Sequence, residues 1–186
     1  MKKTYVAIAL GVAVAAVAAV AGWNYFGVER PIAARLAQDP RNEKVTLWGY
    51  HRFGLVPGTL VIDLRGMSDQ AAMVDVLRAL LQSAEAQKDT RYDKVLLAFR
   101  GTPKFQLDGA YFQHLGQEFE TQNPVYTTRT LPENVFKLDG SPAFGTWTGG
   151  MLGVLNKQME DFNQFSKDWY LDDALKARTG AGHTTP

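Results

Sequence analysis

Apolar and polar residues follow three rhythms along this chain. Between Thr4 and Gly22, in "TYVAIALGVAVAAVAAVAG", 19 positions pass without a charge. As a helix rising about 1.5 Å per residue, such a run spans about 28 Å, close to the hydrocarbon thickness of a bilayer. The second rhythm is the short apolar run bounded by glycine or proline, which reads as a strand. The third is the apolar residue recurring every three or four positions, which reads as a helix.

Strands are predicted over 44–51 in "KVTLWGYHRF" and over "GTLVIDLRG", whose run from Leu60 to Leu64 is of the buried type. Ser68 offers an N-cap with Asp69 in the first turn, and Met73, Val76, Leu77, Leu80, Leu81 and Ala84 keep helical spacing to about Lys88. "YDKVLLAFRG" supplies a third strand, and the turn "RGTP" leads into "KFQLD" as a hairpin return. Asp108 caps a shorter helix with Tyr111, Phe112, Leu115 and Phe119, "NPVYTTRTL" alternates like a strand, and "PENVFKLDGSP" reads as turns. A last helix is predicted from Thr148 to about Tyr170 on the stripe Leu152, Leu155, Met159, Phe162, Phe165 and Trp169. The order β, β, α, β, β, α, β, α predicts an α+β fold, a mixed sheet packed by about three helices. The expected boundaries are an anchor at 1–26, a polar connector at 27–43 carrying Pro31 and Pro40, a globular domain at 44–172, and a tail at 173–186 without apolar anchors.

The apolar run exceeds the usual signal-peptide core of about 7–15 residues. Trp23, Tyr25 and Phe26 stand where an interfacial aromatic belt belongs. These features favour a retained transmembrane helix spanning the bacterial inner membrane once. With Lys2 and Lys3 held inside, the domain after residue 26 is expected in the periplasm. A cleaved secretory signal is the competing reading, since Ala19, Val20 and Ala21 form an A-x-A pattern with cleavage near Ala21. The chain has no cysteine, which excludes a lipidated cysteine and a disulfide framework. It has 20 basic and 19 acidic residues, and setting Lys2 and Lys3 aside leaves the domain with 18 against 19. A near-neutral domain without basic runs excludes nucleic-acid binding through electrostatics.

Chemistry enters with "PAFGTWTGGMLGVL", residues 142–155. Gly145 and Gly150 have the spacing of a phosphate loop, but Met151 and Leu152 stand where lysine and a hydroxyl are required. Gly149, Gly150 and Gly153 do not fit the dinucleotide fingerprint. What remains is a helix start with Thr146, Trp147, Thr148, Gly149 and Gly150, able to turn the chain or to meet an anion or a partner. None of Ser68, Ser83, Ser141 and Ser166 lies in G-x-S-x-G. "LVIDLRG" resembles a strand of periplasmic tail-specific serine proteases, and the strand-helix-strand that follows resembles parts of the signal-peptide-peptidase class. The serine and lysine those families require have no counterpart here, so the resemblance transfers no residue role.

His114 and Glu118 stand one helical turn apart and could share a metal with His51, but this pair is commoner as a solvated ion pair and no metal site is assigned. Asp63 interrupts an apolar strand with Arg65 two residues on, so it must be paired or shifted in pKa. Arg65 and Arg100 both end strands and would converge on an anion if those strands are parallel neighbours, whereas Arg100 at the top of a hairpin would face solvent. The reading favoured by the residues is a tethered envelope domain that binds another envelope protein or component through the Trp147 loop and 132–150. The alternative is a small hydrolase or anion-binding enzyme using Asp63, Arg65, His51 and the helix start at Gly149. No catalytic residue and no cofactor is assigned.

Overall fold

The two strands with unbroken apolar runs are the ones that need cover on both faces, and they pair side by side. In the computed structural model, which describes residues 2–181, β2 (Val56–Met67) lies parallel to β3 (Lys94–Phe99), with Leu60 opposite Val95 and Leu64 opposite Phe99. Parallel pairing requires a crossover, and α3 (Met73–Ala86) provides it. β1 (Val45–Arg52) and β4 (Thr102–Asp108) flank this pair as antiparallel hairpin partners. β5 (Val135–Phe136) completes a five-stranded sheet in the order β1-β2-β3-β4-β5. The protein is a mixed α+β fold with several helices.

Strand alternation sorts the side chains into two sets. Leu60, Ile62, Leu64, Val95, Leu97, Phe105 and Leu107 belong to the main core, together with Val76, Leu77 and Leu80 of α3 and Phe162, Phe165 and Trp169 near the C-terminus. Val61, Leu96 and Ala98 form a separate small cluster with Tyr50 packed against it.

The N-terminal helix does not end where the apolar run ends. α1 (Lys2–Asn24) continues through a π-helical turn at Tyr25–Glu29 into α2 (Arg30–Ala37). The stretch Leu10–Ala37 is long and apolar enough to cross a membrane by length and composition. The connector expected at 27–43 is therefore corrected: Val28, Ile32 and Leu36 recur every four residues and are buried in the main core. Pro31 is accommodated inside this continuous helix because the Gly27 carbonyl, one turn before it, accepts from Gln87 Nε2 at 3.2 Å in place of the missing N–H. Helix and strand meet at Gly49, where a Cβ would run into Ile32 Cδ1.

Four further elements differ from the sequence reading. α3 starts at Met73 rather than at Ser68, because Asp75 accepts from the Ala72 N–H at 2.9 Å while the Ser68 N–H is drawn to the Lys44 carbonyl. Residues 124–130, expected as a strand, form α5 (Pro124–Thr130), with the Asn123 side chain capping the Val125 N–H at 2.9 Å and proline in the first turn. The fifth strand lies instead in the stretch assigned to turns. The last helix, α6 (Met151–Ser166), starts at Met151 and runs on through a π-helical turn (Lys167–Leu171) into α7 (Asp172–Ala181). Residues 173–181 of the expected tail are thus helical, with Ala174 buried and Asp173 paired to Lys104. His183 lies outside the described residues.

α4 (Gly109–Gln117) approaches α3 so closely that a Cβ at Gly116 would overlap the Ala84 carbonyl, whereas nothing lies within 4 Å of a Cβ at Gly153 in α6. Gly116→Ala should cost about 1–3 kcal/mol of unfolding free energy. Gly153→Ala should stabilise by up to about 1 kcal/mol, since alanine is the better helix former. Denaturant melts of the two variants in detergent check the contrast, and equal effects would refute the backbone contact.

Candidate functional site

Asp63 is fully buried and all of its neighbours are named by geometry. Its Oδ2 accepts from the Tyr50 hydroxyl at 3.1 Å and from Arg65 Nη1 at 2.9 Å, and its Oδ1 accepts from the Gly101 N–H at 3.0 Å. Three donors satisfy the hydrogen-bond demand of a carboxylate removed from water. Burial, and then the Asp63 charge beside it, pushes the Tyr50 hydroxyl up to about 12, so it stays a donor at neutral pH. Arg65 also lies over the Trp48 ring, 4.7 Å from its centroid.

Both conditions posed for Arg65 and Arg100 are met at once. β2 and β3 are parallel neighbours, and Arg100 tops the β3–β4 hairpin, with a left-handed φ of 49° and its N–H donated to the Leu64 carbonyl at 3.0 Å. The two arginines are brought to one end of the sheet, but Arg65 is engaged by Asp63, and the Arg100 guanidinium lies over its own neighbour Phe99, 5.3 Å from the ring centroid.

His51 belongs to the other face. Tyr50 and His51 are successive on β1 and so point oppositely. His51 is buried, stacks on Trp23 at 3.9 Å between ring centroids, and donates its backbone N–H to Asn24 Oδ1 at 2.9 Å. A site joining His51 to Asp63 is therefore excluded by the sheet between them. Burial lowers the His51 pKa, so the ring is neutral at pH 7.

At the glycine cluster, residues 145–150 are exposed, Gly149 takes a φ of 132°, and Trp147 is the ordered feature. Its indole Nε1 donates to Asp161 Oδ2 at 2.6 Å, and Lys157 Nζ lies 5.7 Å from the ring centroid. Thr148, Gly150, Gly153 and Val154 line a groove of about 240 Å³ with Trp147 and Lys157. Trp147 and Arg65 have different neighbours, so the structure does not join the helix start to the arginines through a shared contact.

Two features were missed in the sequence. A mostly apolar cavity of about 250 Å³ lies among α3, α4 and α5, lined by Leu77, Leu81, Leu115 and Phe119, with Arg41 and Arg78 also on its wall. Its apolar wall was legible as helical periodicity; that α5 closes it was not, because α5 read as a strand. The second is a polar network beside it. Arg41 pairs with Asp39 at 2.7 Å and Arg78 with Asp75 at 2.7 Å, while Gln82 donates to Asp39 at 2.9 Å. The hydrogen bond from Arg41 holds the Asp39 carboxyl well below the usual carboxylate range. Both guanidiniums are thus occupied.

His114 Nε2 meets Glu118 Oε2 at 3.1 Å on the exposed side of α4. Among the described residues, no group of three or more His, Asp or Glu converges as a metal site. Comparison with protein-family models, curated proteins and solved structures finds no match for this chain.

Asp63→Ala would leave the Tyr50 hydroxyl, Arg65 and the Gly101 N–H without their acceptor, at a cost of about 1–3 kcal/mol in unfolding free energy. Asp63→Asn, which keeps an acceptor, should cost less; the reverse order would contradict a structural role. His51 gives a pH dependence of known sign. Its folded-state pKa lies below the 6.5 of an exposed ring, so the unfolded chain takes up the proton first. Its contribution is complete above pH 6.5 and declines as pH falls below that value, levelling off below the folded pKa. Melting curves of wild type and His51→Phe between pH 8 and pH 5 check it: the variant should lose part of the decline.

Proposed function

We propose that the chain is a single-pass, membrane-anchored module of the bacterial envelope that works by binding another envelope protein, with the domain on the periplasmic side. The observation that carries the reading is the start of α6. Met151 and Leu152 are 81% and 73% exposed in the first turn of α6, a few residues after Trp147, whose indole donates to Asp161. Exposed apolar side chains and a pre-ordered aromatic are what a protein contact uses, because little conformational freedom is then lost on binding. The same helix continues into the core through Phe162, Phe165 and Trp169, so the surface is held by a rigid element. Anchorage rests on the long apolar helix, and periplasmic orientation on Lys2 and Lys3 at its inner end.

A hydrolase or anion-binding enzyme built on Asp63, Arg65 and Gly149 has weaker support. Asp63 and Arg65 already satisfy one another, and recruiting them would break a buried pair.

A photoreactive residue placed at Leu152 of the full chain, in native membranes, should give a discrete protein adduct that Trp147→Ala removes. That substitution should cost about 1–2 kcal/mol of unfolding free energy, from the lost hydrogen bond to Asp161 and the partly covered ring, and leave the domain folded. A protein present at normal level in the membrane with no adduct from 151 or 152, or a Trp147→Ala variant that unfolds, would refute this contact surface.

A further inference from the structure

The turn between β1 and β2 sits against the transmembrane segment. Asn24 Nδ2 donates to the Gly54 carbonyl at 2.8 Å, and a Cβ on Gly54 would lie 3.6 Å from Val20 Cγ1. Val20 lies just before Trp23, Tyr25 and Phe26, the aromatics placed where an interfacial belt belongs, so the turn reaches the depth of that belt. The tip carries no charged side chain between Arg52 and Asp63. Phe53 is 78% exposed and Leu55 is 64% exposed. On the helix, Trp23, Tyr25 and Phe26 are also exposed, all within two residues of the Asn24 that holds Gly54.

The backbone argues in the same direction. Gly54 donates its N–H to His51 and Leu55 donates to Arg52, closing a tight turn in which both central residues, Phe53 and Gly54, have positive φ, 54° and 72°. That turn favours asparagine or aspartate followed by glycine. A bulky phenylalanine in the left-handed region is an uncommon choice, and pointing it into water offers no gain. Arg52 lies with its guanidinium 4.9 Å from the Phe53 ring centroid, a cation placed next to the apolar tip.

We propose that the Phe53–Gly54–Leu55 tip inserts into the interfacial layer of the bilayer, with Arg52 toward the lipid phosphates, as a second membrane contact that fixes the domain's orientation. The partner is the lipid surface itself, because the anchoring helix that touches the tip delivers it there. This inference rests on the membrane-anchored reading of α1.

The chain has no native cysteine, so single labels report cleanly. Nitroxide labels are placed on Phe53→Cys, Leu55→Cys, Val14→Cys and Met151→Cys in the full chain, reconstituted in vesicles of phosphatidylethanolamine and phosphatidylglycerol. Power-saturation spectroscopy then compares collision with oxygen and with a water-soluble nickel chelate. The expected result is an oxygen-to-nickel ratio at 53 and 55 about threefold above that at 151 and below that at 14, the signature of interfacial depth. Ratios at 53 and 55 equal to that at 151, with 14 still shielded, would overturn the tip contact while leaving the anchor intact. An aqueous label at 14 as well would overturn the anchored reading and the inference with it.

Discussion

Everything in this structure hangs on a helix that does not stop where its apolar run stops. An anchor joined by a flexible stalk leaves its domain free to tumble, whereas here the stripe Val28, Ile32 and Leu36 is part of the core. The contact is permitted by the missing side chain at Gly49 and fastened by Asn24, which serves the His51 N–H and the Gly54 carbonyl together. Asn24 lies immediately after the apolar run, where the end of β1 would otherwise present an unpaired backbone group next to an apolar helix. One polar side chain thus resolves a hydrogen-bond demand and sets the height of the sheet relative to the helix. The π-helical turn at Tyr25–Glu29 marks the passage from the exposed part of the helix to the docked part.

The charged residues inside the domain answer to the same economy. Asp63 has three donors, Arg65 has a carboxylate and an aromatic face, and Asp39, Asp75, Arg41 and Arg78 close a network with Gln82. A buried ion in a satisfied network is costly to disturb, so such residues hold a fold together more readily than they turn over a substrate. Exposed apolar side chains at the α6 start have no comparable internal use, which is why the functional reading leans on them rather than on the charges.

Much of this was written in the sequence, and what was not has a physical reason. The apolar runs of β2 and β3, the helical stripe of α3, the hairpin at "RGTP" and the Asp108 cap were legible because each is decided by neighbours within a few residues. The unreadable parts were decided at a distance. "NPVYTTRTL" alternates and is rich in β-branched residues, yet Asn123 and Pro124 form a helix start, and that local signal outranked the alternation. Residues 27–43 looked like a stalk because Pro31 and Pro40 interrupt a polar stretch whose large aliphatic residues are only Val28, Ile32 and Leu36, and that spacing has meaning only once Gly49 offers a place to dock. For the candidate site, the pairing of Asp63 with Arg65 followed from the strand's alternation. The donation from Gly101 depended on β2 and β3 being neighbours, which no local pattern encodes.

The strand directions also give the sheet two unlike ends. β2 leaves the tip near Gly54 and runs toward Arg65, roughly ten residues at about 3.3 Å each, or about 30 Å. Because β3 is parallel to it, the β3–β4 turn falls at the same far end and sets Arg100 beside Arg65. Asp69 and Arg178 pair just beyond the end of β2, adding further charge there. The near end has the exposed Phe53 and Leu55 at the β1–β2 corner, next to the N-terminal helix. Charge is present at this end too, since Lys94 of β3 stands opposite both Thr59 of β2 and Asp108 of β4, so the apolar surface is confined to the β1–β2 corner that meets the helix, where covering Phe53 and Leu55 would gain the free energy of their burial.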